Sequence, residues 1–185
     1  MKPSIKVAVV CSFISVVITM TLHSFGKGVL AYEMSSFLNL FLLLAAIAGG
    51  LFLYKKSEGF SDKSFIEDIK MALQGGLIYT LLISGFVYYY HTKINTSIID
   101  DKVDDYIEVI SQNVPNEATF LEMKKGDKTW KDKTYLDYIE NQEDSARGFI
   151  SAFSLSIMHT VVGLLLTVFF SIFTTIILRK VVMRD

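Results

Sequence analysis

Four stretches of this chain, Val7 to Phe25, Met34 to Tyr54, Met71 to Thr92 and Gly148 to Leu178, contain no Asp, Glu, Lys or Arg. Each reaches the roughly 18–20 residues that cross about 30 Å of hydrocarbon as a helix. A helix of a soluble bundle shows polar residues at every third or fourth position, where one face meets water; these four are apolar all round. The pattern predicts an all-α membrane protein with four transmembrane helices, spanning about 6–25, 30–54, 70–91 and 149–178, in a single domain over 1–185. Residues 92–146 between helices 3 and 4 are predicted to form an outward helical extension.

Within that insert, Ile99, Val103, Tyr106 and Ile110 recur at steps of four, three and four, an apolar helical stripe. Asp100, Asp101, Asp104, Asp105 and Glu108 occupy the rest of the surface. Helix 3 is expected to run on to about Gln112 and to break at Asn113-Val114-Pro115-Asn116, because Pro lacks an amide proton and disfavours helix in the residue before it. A second short helix is expected from Asn116 or Thr119, and a third from about Thr134. The insert is too short and too poor in cysteine for a robust core of its own. It is expected to lean on the bundle or on a partner, with the stripe as the candidate partner-binding surface. The acidic pairs lack the spacing and turn glycine of a calcium loop and read as a solvated helix face. Trp130, the single tryptophan, sits among Lys128, Lys131 and Lys133, as a contact for the membrane surface, a sugar or a protein.

Charge sets the orientation, since Lys and Arg of short segments are retained in the cytoplasm. Lys2, Lys6, Lys55, Lys56, Lys63, Lys70, Arg179, Lys180 and Arg184 share one side. The other side holds Lys27 and the insert, with seven lysines against thirteen acidic residues. Both termini are therefore expected in the cytoplasm and the insert outside. Lys2 and Lys6 resemble the start of a signal peptide, but the run that follows is long for one and lacks an Ala-x-Ala site, Val29-Leu30-Ala31 being the nearest. An uncleaved first span is expected. Ser64-Phe65-Ile66-Glu67 has capping-box spacing and starts helix 3 before the membrane, with Phe60, Phe65, Ile69, Lys63 and Lys70 at headgroup depth.

A net charge of -1 with no basic stripe excludes nucleic acid as a partner class. Cys11 is the only cysteine, so one chain can form neither a disulfide nor a thiolate metal site. Nucleophile elbow, phosphate loop and His-Glu-x-x-His signatures are absent from the sequence, so no catalytic, cofactor-binding or metal residue is assigned.

The candidate chemistry lies at one depth. Counting about 20 residues back from Arg179 reaches Met158 and His159, and leaves Ser151, Ser154 and Ser156 at the outer interface or beyond. His23 ends span 1, Glu33 starts span 2 and His91 ends span 3 after Tyr88, Tyr89 and Tyr90, so His23, Glu33, His91 and His159 form a candidate outer-face polar cluster. Imidazole and carboxylate bind zinc and carry protons. Interfaces also accommodate such groups as anchors, the first expectation here. Deeper polar residues are sparse, Asn39 and Gln74 among them, whereas Ala45 with Gly49, Ala46 with Gly50, and Gly75-Gly76 offer surfaces for close helix packing.

Ser64-Phe65, then Lys70-Met71-Ala72-Leu73-Gln74-Gly75-Gly76 entering span 3, the aromatic exit Tyr88-Tyr89-Tyr90 and a polar insert before the last span together resemble an uncharacterised four-span inner-membrane family of Bacteroidota, domain of unknown function 4199. Members of that family often carry Asn-Pro shortly after the aromatic exit, where this chain has Asn95-Thr96. The resemblance implies a bacterial inner membrane and a periplasmic insert, and supplies no activity. The expected function is that of a non-enzymatic accessory or scaffold subunit, embedded in lipid and binding a protein partner or a second copy of itself through the insert. The alternatives are a small solute or proton-coupled transporter built on Glu33 and the histidines, and, third, an enzyme acting on a lipid-linked substrate.

Overall fold

The computed structural model describes residues 2–26, 28–60, 64–126 and 128–181, those at 28–31 and 128 through their backbone. Lys27, Lys63 and Arg184, which enter the charge count above, lie outside the described residues. Among the described residues there is no strand. The elements are α1 (Pro3–Ser24), α2 (Gly28–Ser57), α3 (Phe65–Tyr89), a π-helical turn (Tyr90–Ile94), α4 (Ser97–Asn113), α5 (Glu117–Gly126), a 3-10 turn (Lys128–Trp130), α6 (Tyr135–Phe149) and α7 (Ala152–Val181). Four helices, Pro3–Ser24, Tyr32–Ser57, Phe65–Ile94 and Ala152–Val181, are long and apolar enough to cross a membrane. The chain is an all-α, multi-pass membrane protein. It divides into two compact units, Met1–Tyr88 with Ser156–Asp185, and Tyr89–Leu155.

The first unit carries α1, α2, α3 and most of α7, and its packing is inverted relative to a soluble bundle. Helix α1 buries Ser4, Ala8, Ser12, Ser15 and Thr19 and exposes Val10, Phe13 and Val17. Helix α7 buries Gly163, Thr167, Ser171 and Thr175, one turn apart, and exposes Leu165, Val168, Phe169 and Phe173. Small and hydroxyl residues face one another while bulky apolar side chains face outward, as expected where lipid is the solvent and helices associate by close packing and hydrogen bonds. Several buried hydroxyls donate to a carbonyl one turn back, as Ser12 does to Ala8 O (2.8 Å), Thr19 to Ser15 O (2.9 Å) and Thr175 to Ser171 O (2.7 Å). That local bond satisfies a donor that hydrocarbon could not.

Of the small-residue pairs, Ala46 with Gly50 and Gly75 with Gly76 are the ones used for close approach. A Cβ on Gly50 would stand 3.0 Å from Ser4 Cα, and one on Gly75 3.3 Å from the Ala46 carbonyl oxygen. Ala45 is exposed, and Gly49 has only ordinary room beside Val7.

Local signals placed several helix ends. Pro3 opens α1 where an amide proton has no intrahelical partner to lose. Ser64 Oγ accepts from the Glu67 amide (3.2 Å) at the start of α3. Asn116 Oδ1 accepts from the Thr119 amide (3.0 Å) beside α5, and Thr134 with Asp137 forms a full capping box on α6.

The second unit departs from expectation in two ways. Helix 3 does not continue unbroken to Gln112: its ladder widens into the π turn at Tyr90–Ile94, where the Asn95 amide donates to Tyr90 O (2.8 Å), and α4 restarts at Ser97. The break falls at Asn95-Thr96 without a proline. A helix that widens to i→i+5 bonding shifts its side-chain register, and such insertions interrupt the regular ladder. The insert also has a core of its own. Phe120, Tyr138 and Val114 are buried, with Ile110, Trp130, Tyr135 and Ile139 packed on them. Trp130 is half-buried in this cluster, its ring 5.1 Å from Tyr138 and 6.4 Å from Phe120, so it is a structural residue of the unit. Four aromatic rings bury enough area to hold a short segment that aliphatic residues at this length would leave marginal. Tyr135 ties the cluster to the end of α4 by donating to Val114 O (2.9 Å).

Candidate functional site

At one end of the first unit three charges meet. Lys55, near the end of α2, places Nζ 2.8 Å from Asp68 Oδ1, and Arg179, near the end of α7, donates from Nε to Asp68 Oδ2 (2.8 Å). Asp68 and Lys55 are fully buried, and the Arg179 guanidinium also lies over the Phe65 ring at 5.7 Å. Asp68 thus joins three spanning helices, with both oxygens engaged. Asp68 was not singled out in the sequence, and Lys55 and Arg179 figured there only as charges retained on one side. All three sit at the same ends of their spans, and a comparison of levels like that made for the histidines would have grouped them.

Above this triad the interior carries neutral hydrogen bonds. Ser15 of α1 donates to Asn39 Oδ1 of α2, and Tyr79 of α3 donates to the same oxygen (3.1 Å) and to Asn39 O (3.3 Å). Thr19 and Ser35 are hydrogen-bonded, as are Thr80 and Thr167 at 3.3 Å. Asn39 is therefore the junction of three helices.

Beside it lies a cavity of about 310 Å³ between α2, α3 and α7. Phe37, Leu40, Leu43, Val162 and Leu166 supply apolar walls, and Ser36, Asn39, Tyr79, Thr80 and His159 the polar groups. Among the described residues no charged side chain lines it. At 1.5 Å per residue, Leu43, Thr80 and Leu166 stand roughly 18–20 Å from the triad level and Ser36 and His159 roughly 28–30 Å. The cavity thus occupies the half of the unit away from the charges.

Of the four candidate cluster residues, His159 lines this cavity. His23 is half-buried and Glu33 is exposed, and neither belongs to the lining. His91 is buried in the π turn of the other unit, its ring 5.4 Å from that of Tyr90. Among the described residues no three His, Cys, Asp or Glu side chains come together to hold a metal.

In the second unit, α4 distributes its stripe unevenly. Val103 is fully buried, Ile99 and Ile110 are half-buried, and Tyr106 is exposed. Ile98, outside the four, is buried, and Val109, one turn from Tyr106, is 56% exposed. Asp100, Asp101, Asp104, Asp105 and Glu108 are all exposed. Arg147 of α6 donates to Asp100 (2.7 Å) and to Glu143 (3.1 Å), and these carboxylates hold its guanidinium further toward the charged form. The open surface of α4 is thus acidic with two apolar residues standing out of it. Hydrogen bonds from the Thr134 amide and hydroxyl hold the Asp137 carboxyl below its usual range.

No family model, no curated protein and no solved structure matches this chain.

Proposed function

We propose that the protein is a non-enzymatic accessory subunit of a bacterial inner membrane, akin to the Bacteroidota family it resembles. Its termini lie in the cytoplasm, and its Tyr89–Leu155 unit binds a protein partner in the periplasm. The observation that carries the reading is the surface of α4, where Tyr106 and Val109 are exposed among five acidic side chains while the neighbouring Val103 fills the unit's interior. An exposed aromatic on a rigid support is the usual anchor of an interface. Acidic surroundings select a basic partner segment and speed its encounter. The aromatic core supplies the rigidity.

Affinity purification in mild detergent tests this. Wild type is expected to retain a partner that a Tyr106→Ala, Val109→Ala chain loses, with loss also on raising salt, since exposed charge attraction is screened. Equal retention by both chains would contradict the reading. The carrier alternative gains little: the cavity presents no carboxylate, and Glu33 lies outside its lining.

A further inference from the structure

We propose that the cavity between α2, α3 and α7 binds an uncharged, single-chain membrane amphiphile. Its hydroxyl or carbonyl head would lie beside Asn39 and His159, and its chain would run inward toward Leu43 and Leu166. The site is independent of the α4 surface and of any protein partner.

Hydrogen-bonding groups without protein partners set the head. Asn39 Oδ1 already accepts from Ser15 and Tyr79, which fixes the amide orientation, while Asn39 Nδ2 donates to no described residue. The imidazole of His159, half-buried on the cavity wall, has no hydrogen-bond partner among the described residues either. Away from water an unpaired amide donor or imidazole is costly, so these groups favour a ligand that can bond to them. An ester or alcohol oxygen accepts from Asn39 Nδ2 and either accepts from or donates to His159.

Charge and size narrow the class further. Phosphate, carboxylate and ammonium heads find no fixed counter-charge, because no Asp, Glu, Lys or Arg among the described residues lines the cavity. Lys55 and Arg179 are committed to Asp68, roughly 28–30 Å from the level of His159. A volume of about 310 Å³ lies at the small end of ligand pockets and holds one chain segment. The hydroxyls of Tyr79 and Thr80 at the inner level are already bonded to Asn39 and Thr167, so the groups open to a ligand's head are Asn39 and His159 at the outer level, and Leu43 and Leu166 are left for a tail toward the bilayer centre.

The test uses the full chain in vesicles of phosphatidylethanolamine and phosphatidylglycerol, with a monoacylglycerol bearing a photoactivatable diazirine on its chain, and adducts mapped by mass spectrometry. The expected result is saturable labelling on the cavity segments of α2, α3 and α7, displaced by unlabelled monoacylglycerol and not by fatty acid or lysophosphatidylglycerol. Val162→Trp, at a lining position already open on its other side, is expected to abolish that labelling, and His159→Phe to weaken binding about tenfold, the effect of one lost hydrogen bond. Labelling spread evenly over outward residues such as Phe13 and Phe169, failure to saturate, or equal displacement by charged lipids would overturn the proposal. The displacement series is read on wild type, so it decides the matter even if a variant fails to fold.

Discussion

Thr80 and Thr167 face each other from α3 and α7 with their hydroxyl oxygens 3.3 Å apart. Each also fills the space above a glycine of the opposite helix. A Cβ on Gly76 would stand 2.5 Å from Thr167 Cγ2, and one on Gly163 2.6 Å from Thr80 Cγ2. The two helices interlock by a reciprocal pair of threonine and glycine, each pair one turn long.

Gly163→Ala is therefore expected to destabilise the protein by about 1–3 kcal/mol, the range for forcing a methyl group into a packed interior. Adding Thr80→Ala removes the clashing atoms and is expected to recover most of that loss. Unfolding in detergent of both variants checks this, and a double variant no better than Gly163→Ala would show that the glycine serves another purpose.

Asp68→Asn removes the buried carboxylate that Lys55 and Arg179 share and is expected to cost about 3–5 kcal/mol. Arg179→Ala is expected to cost less, because Arg179 retains 26% side-chain exposure and Asp68 keeps Lys55. Replacing the buried pair together, as Lys55→Met with Asp68→Leu, is expected to be milder than Asp68→Asn alone. The same unfolding measurements rank the three.

How much of this was legible beforehand depended on whether the determining contacts are local. The four spans, the cap at Ser64, the helix start near Thr134 and the break at Pro115 follow from residues within a turn of each other, and the structure has all of them. The inverted packing was also present in the sequence, in the one-turn spacing of Gly163, Thr167, Ser171 and Thr175, but apolar runs hide it when only hydropathy is read. The triad depends on residues up to 111 positions apart and the aromatic core on a loop closing over Phe120, so neither could be read from spacing. The widened turn at Tyr90 has no proline or glycine to mark it. Of the four residues grouped by depth, sharing a level said nothing of facing: His159 lines the cavity and Glu33 points elsewhere.

Phe120 is 1% exposed at the centre of the second unit's core, and Phe120→Ala is expected to cost about 3–5 kcal/mol there. Trp130 is the only tryptophan and packs against Phe120, so its fluorescence reports this unit alone. A red shift at temperatures where the spanning helices keep their circular dichroism is expected. An unchanged emission maximum would place Trp130 outside that core.

The capping box on α6 carries a pH dependence. The carboxyl of Asp137 is held low by Thr134, so the folded form favours the ionised state. Its stabilisation is present above the unfolded carboxyl value of about 3.9 and is lost as pH falls through the lower folded value. Amide exchange at Tyr135 to Tyr138 is expected to accelerate on acidification in that window, beyond the intrinsic effect of pH, and Thr134→Ala is expected to flatten the response.

The claim that α4 meets a protein partner is tested most directly by placing a photo-crosslinking amino acid at position 106, 109 or 103 in living cells. Positions 106 and 109 are expected to give the same defined adduct with a second protein, absent at the buried position 103 and weakened when Asp101, Asp104 and Asp105 are changed to asparagine. Adducts with lipid or with the chain itself at 106 and 109, and no second protein, would contradict the account.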